Sequence, residues 1–371
     1  MMGISINRMA AALLPATALA QVFPAPPGDF RVHLAHTELI DESRLDPFND
    51  THVRRIMVSQ FTPVPNDECV STCKVPYMSA ELSKFEDDIF YEYYGDIGWP
   101  GQVLDKLELE VCCEVKKSSH KVTYPTVFLD TGLNTTRLFY TGTAQHIASL
   151  GYEVILLDHP YETDVVQFPD GEIIFGGHIG RDPNNTAVLQ FGLDVRADDA
   201  SFVLDALNIC RAVYIGHSFG GAAAATVIPK EPRIAGGVNL DGALWGRAIN
   251  AGVAHPFLQF GSVGHNSSSD PSWSSFWDAM DSNYPDVWYR ELSLDDALHG
   301  SYWDLPIIGD ITGLREEPTL EELLFGKVTG ERVMEVLRAY LGDFVNFTLL
   351  GGDEGLLAEE SPEFPDVHFL R

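Results

Sequence analysis

Positive charge is scarce in this chain: 24 Lys and Arg stand against 54 Asp and Glu, a formal net charge of -30. A surface so short of cations cannot neutralise the phosphates of a nucleic acid or an anionic bilayer, so no nucleic-acid partner is expected. Long apolar runs are also missing. Beyond the first twenty residues no stretch reaches the roughly eighteen apolar residues that a spanning helix needs, so no transmembrane segment is expected. Cysteine is limited to five residues, and neither an internal repeat nor a low-complexity linker interrupts the sequence. What is present suffices to fold: 45% hydrophobic and 11% aromatic residues exclude wholesale disorder.

Residues 1–20, MMGISINRMAAALLPATALA, place Arg8 before a short apolar run that ends in small residues. This is the pattern of a secretory signal peptide cleaved before Gln21, and it predicts a secreted, extracellular protein. In an oxidising compartment Cys69, Cys73, Cys112 and Cys113 are expected to form two disulfides. Cys112 and Cys113 are adjacent on a strand and point to opposite faces, so each should pair with one of the other two; which pairs with which stays open. A zinc site is the alternative, but no metal or other cofactor is expected. Cys210 reads as a buried free thiol. Five N-x-[ST] sequons, at Asn49, Asn134, Asn184, Asn266 and Asn346, fit a glycoprotein.

Residues 21–50 look like an irregular arm. VRRIMVSQF (53–61) and LELEVCCEV (107–115) read as strands, separated by a Cys-containing insertion at about 62–106 that is either a cap or a disulfide-pinned loop. From residue 125 buried apolar strands alternate with helices: PTVFLD (125–130), a helix to Gly151, YEVILLD (152–158), a hairpin around Pro169-Asp170-Gly171, and a helix over 194–208. The strand AVYI and an Ala-rich helix follow, then IAGGVNLD (234–241), PFLQFGS (256–262) and VWYRELSL (287–294) as the last strand. The alternation predicts an α/β fold, a doubly wound, mostly parallel sheet with helices on both faces, over a single domain spanning 21–371.

In AVYIGHSFGG the pentapeptide Gly216-His217-Ser218-Phe219-Gly220 lies between a buried strand and a helix. That is the setting of a nucleophile elbow, which presents a serine on a sharp turn, so Ser218 is the candidate nucleophile. A serine hydroxyl needs a base, and the base needs an orienting acid; in this fold they follow in the order Ser, acid, His. His299, after the last strand, is the first choice of base and His265 the alternative. His255 falls at the wrong end of a strand, and His368 sits too close to the C-terminus. Asp241, ending the strand after the elbow helix, is the expected acid, ahead of Asp270, Asp278 and Asp281. The backbone N–H of Phe219 and that of Leu133, or else of Gly132, would stabilise the oxyanion.

GHSFGG, VNLDGALW, LHGSYWDLP and FLDTGLN together resemble the plasma-type platelet-activating-factor acetylhydrolase family, within the α/β-hydrolases, over roughly residues 120–310. The resemblance implies a calcium-independent esterase that removes short or oxidised sn-2 acyl chains from phospholipids, with Ser218, Asp241 and His299 as triad and Leu133 and Phe219 as oxyanion donors. Thr131 and Asn134 stand where that family's turn usually has His and Gly. The alternatives are another carboxylesterase, a cutinase-like or lactone hydrolase, or a catalytically silent binding scaffold.

Overall fold

The computed structural model describes residues 20–116, 123–180, 182 and 185–371. The expected signal segment, up to residue 19, and the Asn184 sequon lie outside the described residues. In chain order the elements are β1 Gln21–Val22, β2 Phe30–Leu45, β3 Val53–Pro65, β4 Cys69–Pro76, α1 Ala80–Tyr94, β5 Leu107–Val115, β6 Thr126–Asp130, α2 Thr141–Ala148, β7 Glu153–Leu157, and the pair β8 Val165–Gln167 and β9 Ile173–Phe175. There follow α3 Thr186–Ala206, β10 Ala212–His217, α4 Phe219–Val227, β11 Ile234–Leu240, α5 Ala248–Ala251, β12 Phe257–Gly261, α6 Pro271–Asn283, β13 Tyr289–Leu294, α7 Leu305–Thr312, α8 Pro318–Leu320, α9 Gly330–Val345 and β14 Val367–Phe369.

The main sheet has nine strands in the order β14-β13-β12-β11-β10-β6-β7-β3-β2. Strands β13, β12, β11, β10, β6 and β7 run parallel, with antiparallel strands added at both edges. The parallel strands read as unbroken apolar runs because both their faces are covered. On β6, Val127 and Leu129 join the core shared with α2, α7 and α9, whereas Phe128 joins the core beneath α3, α4 and α6. Tyr214 on β10 faces the same way as Phe128, while Val213 and Ile215 face the other.

Four expectations need correction. Residues 21–50 are no irregular arm: β2 pairs with β3 over nearly its whole length, as an edge strand whose half-exposed face carries too many polar residues to read as a strand. The helix expected at 194–208 begins at Thr186, capped by the Asn185 side chain. VWYRELSL is not the last strand either, since β14 pairs antiparallel with β13. Cys210, expected to be buried, is free and exposed, because Ile209 takes the inward position at the end of α3.

The insertion at 62–106 contributes β4 and α1. Strand β4 pairs antiparallel with β5, and the cysteines join across this ladder as Cys69–Cys112 and Cys73–Cys113. The adjacent cysteines therefore do take separate partners. Helix α1 is capped by Ser79, whose hydroxyl accepts the Leu82 N–H at 3.2 Å, and its Asp87 accepts from the backbone of Val103 (2.9 Å) and Leu104 (3.0 Å). The returning segment is thereby pinned against the helix.

Candidate active site

The direction of chain crossover changes between β6 and β10, so the turns after these two strands open side by side at one end of the sheet. Such a switch point is where an open α/β sheet leaves a crevice. After β10 the chain turns at Ser218, with φ 55° and ψ -119°. This conformation costs a non-glycine residue about 1–3 kcal/mol and needs outside support. Its N–H donates to the Leu240 carbonyl (2.9 Å), and its carbonyl accepts the Gly221 N–H (2.9 Å). A Cβ on Gly216 would lie 2.0 Å from the Gly220 carbonyl group, and one on Gly220 would lie 2.7 Å from the Asp130 carbonyl oxygen. Only glycine lets α4 start so close to both strands.

Asp241 follows β11 and also has positive φ, 55°. Asn239 builds its turn: the side-chain oxygen accepts the Gly242 N–H (2.9 Å), and its amide donates to the Gly242 carbonyl (2.7 Å) and to Gln259 (3.0 Å). The Asp241 side chain is only 2% exposed. His299, in the loop after β13, places Nδ1 2.7 Å from Asp241 Oδ2 and Nε2 3.0 Å from Ser218 Oγ. Ser218, His299 and Asp241, singled out in the sequence, thus form one hydrogen-bonded line.

His265, the alternative base, also meets Asp241, with Nδ1 2.9 Å from Oδ1, but its Nε2 lies 2.9 Å from Asp270 Oδ2 instead of facing the serine. His255 precedes β12, at the opposite end of the sheet from Ser218, and His368 pairs with Asp295 at 2.8 Å. Asp278 and Asp281 are exposed on α6, where Asp281 accepts from Tyr289 and Arg371. Burial would raise the Asp241 pKa, yet hydrogen bonds from His265 and His299 bring it well below the usual carboxylate range.

The turn expected to supply an oxyanion donor follows β6. Gly132 drops out as a donor because its N–H is given to the Tyr140 hydroxyl (2.9 Å). Leu133 and Phe219 both line a cavity of about 320 Å³ that also contains Ser218, Asp241 and His299. Phe219 is the first residue of α4, so its N–H has no partner within the helix. Asn134 has φ 52° and is exposed; asparagine tolerates that left-handed geometry better than most residues.

Two supporting groups escaped the sequence reading. His217, fully buried, has Nε2 3.1 Å from the His299 carbonyl and Nδ1 2.8 Å from the Tyr140 hydroxyl. A carbonyl only accepts, so Nε2 carries the proton and Nδ1 accepts from Tyr140, whose oxygen takes the Gly132 N–H. Burial, then the neighbouring His299, hold the His217 pKa well below its ordinary value and keep the ring neutral. Behind the oxyanion turn, the buried Arg196 donates to the carbonyls of Thr131 (2.6 Å) and Gly132 (3.2 Å) and to Asp130 (3.0 Å), and it pairs with Glu162. Its guanidinium also lies over the Phe219 ring at 5.0 Å. The only signal in the sequence was an acid ending an otherwise apolar strand, Asp130, which implied a buried cation somewhere. Among the described residues, no group of three or more His, Cys, Asp or Glu is placed to hold a metal ion.

A mostly parallel sheet whose switch point carries a strained serine between strand and helix, with Asp and His on the following loops, defines the α/β-hydrolase class. No protein-family model matches the sequence. The chain is 40% identical over 366 residues to a probable 1-alkyl-2-acetylglycerophosphocholine esterase of Arthroderma benhamiae, with 94% of each chain covered. It belongs to that family, the α/β-hydrolase esterases of the platelet-activating-factor acetylhydrolase type. Among solved structures it resembles a ferulic acid esterase from Streptomyces cinnamoneus, at 28% identity and a TM-score of 0.75, covering 95% of this chain and all of the other.

Proposed function

We propose that the chain is a secreted serine esterase that cleaves short acyl esters, as on the sn-2 position of a phospholipid, with Ser218 as nucleophile. The observation that carries this reading is the line from Ser218 Oγ through His299 (3.0 Å) to Asp241 (2.7 Å). Ser218 Oγ attacks the ester carbonyl carbon as its proton passes to His299 Nε2, and the N–H groups of Phe219 and Leu133 receive the oxyanion. Collapse of the tetrahedral intermediate expels the alcohol, which takes the proton from His299. Water then gives a proton to His299 and attacks the acyl enzyme; the acid leaves and Ser218 regains its proton. Asp241 fixes the tautomer and supports the imidazolium.

The relative named as a 1-alkyl-2-acetylglycerophosphocholine esterase supports the phospholipid substrate. The cavity, small and walled by Leu133, Leu189, Phe219 and Trp245, supports a short acyl group. A second reading, an aromatic acyl ester, is favoured by the likeness to the ferulic acid esterase. Two disulfides and the composition of the first twenty residues support export.

A fluorophosphonate probe tests the nucleophile: the folded protein should be labelled, and Ser218→Ala should abolish labelling. Labelling that survives the substitution would remove Ser218 from the mechanism. Hydrolysis of acetyl, butyryl, octanoyl and feruloyl esters, beside a short-chain phosphatidylcholine, then ranks the two substrate readings.

A further inference from the structure

Asp241 serves two histidines, and only one of them touches the serine. His299 takes Oδ2, while His265 takes Oδ1 at 2.9 Å and reaches Asp270 with its other nitrogen, also at 2.9 Å. A neutral imidazole can donate through one nitrogen only. A ring held between two carboxylates at hydrogen-bond distance donates through both, and so it carries a proton and a positive charge.

We propose that His265, held as an imidazolium between Asp241 and Asp270, is a positioning residue that sets the pH range of the esterase by diverting part of the Asp241 charge away from His299. This inference rests on the serine-esterase reading above.

The site around His265 is built to keep that cation. Asp270 is fixed as the N-cap of α6, where its other oxygen accepts the Ser272 N–H at 2.7 Å. The His265 ring packs on Trp273, with centroids 4.6 Å apart, and the Trp273 indole N–H binds the Gly242 carbonyl beside Asp241 at 2.7 Å. A cation against an indole face is favourable. The Ser262 N–H adds a third donor to Asp241, at 2.6 Å from Oδ1. Burial alone would lower the His265 pKa, but the hydrogen bonds it donates to Asp241 and Asp270 lift it to about 9.

The charged and titratable groups facing the pair are few. His265 meets Asp241 from the β11 turn and Asp270 from the start of α6. Glu291 of β13 holds the same loop through the Ser267 N–H, at 2.8 Å. His299 meets Ser218, Asp241 and the ring of His217, whose centroid is 4.6 Å away. His217 is neutral, so His265 is the one cation on the far side of the shared carboxylate among these groups. It opposes the positive charge that forms on His299 whenever that ring accepts a proton. The two histidines thus compete for the charge of one carboxylate, each through its own oxygen.

The test is the pH profile of kcat/KM on a p-nitrophenyl ester, wild type against His265→Asn. Asparagine keeps a neutral donor toward Asp241 and removes the cation. The acid limb should move to higher pH by roughly one unit. A lower kcat with the limb unmoved, or a limb moved to lower pH, would overturn the proposal and leave His265 as packing alone.

Proton NMR supplies a readout that needs no activity: the His265 C2–H resonance of the wild type, assigned with His265→Asn or, if that variant does not fold, with Asp270→Asn, should titrate near pH 9. Titration below pH 7 would likewise reject the proposal. Failure of the esterase reading itself shows separately, as absent or Ser218-independent probe labelling.

Discussion

Arg196 holds the carbonyl oxygen of Gly132 at 3.2 Å, and that carbonyl belongs to the peptide unit whose N–H is Leu133's. In a trans peptide the C=O and N–H point in opposite directions, so a cation fixed on one end orients and polarises the other. The guanidinium also grips the preceding carbonyl, Thr131, at 2.6 Å. Arg196→Lys keeps the charge but loses the planar fork. Its kcat should fall by about ten- to a hundredfold with little change in KM, and affinity for a trifluoromethyl ketone should fall in parallel. Arg196→Met, which leaves Asp130 and Glu162 buried without their cation, should instead lose about 3–5 kcal/mol of stability by denaturant titration.

Tyr140→Phe removes the hydroxyl that receives the Gly132 N–H and meets His217 Nδ1. A buried donor and a buried acceptor then lack partners, which should cost roughly 1–3 kcal/mol. Urea unfolding measures this, and kcat should fall with it, because the freed turn no longer holds one geometry.

Loss of the disulfides should be felt through the β4–β5 ladder. The bridges close loops of 43 and 40 residues, for which chain entropy suggests about 4 kcal/mol for the first closed and less for the second, since the loops overlap. Differential scanning calorimetry with and without a strong reductant should show a clear drop in Tm. A Cys210→Ser variant should behave as wild type in both conditions, since that thiol is free and exposed.

Stability should decline on the alkaline side. His159 lies fully buried between Asp130 (3.1 Å) and Asp199 (2.8 Å); burial would lower its pKa, but the two carboxylates raise it to about 9. A folded value above the unfolded one, about 6.5, means the contribution is complete below about pH 6.5 and is lost as pH rises through 9. His265 adds to the same window. Tm measured across this range should fall, and His159→Gln should be less stable at neutral pH with a flatter alkaline decline.

The sequence carried the parallel strands and the positions of Ser218, Asp241 and His299, because unbroken apolar strands and glycines required by close approach leave direct marks in composition. It did not carry β2, whose polar, half-exposed face lacks the alternation of a core strand. It ranked His265 against His299 as rival bases, although both bind one carboxylate through different oxygens. Chain order cannot distinguish those roles; only the direction each ring faces does. Arg196 was illegible for a related reason: on an amphipathic helix an arginine reads as a solvated charge until the acid that it meets across the fold, Asp130, is known.

His217 binds the loop of His299 with one nitrogen and, through Tyr140, the turn of Gly132 with the other. The residue between Gly216 and Ser218 is therefore no spacer. It links one wall of the crevice to the other, so any opening of the His299 loop away from the Gly132 turn has to break a buried hydrogen bond at His217 or Tyr140.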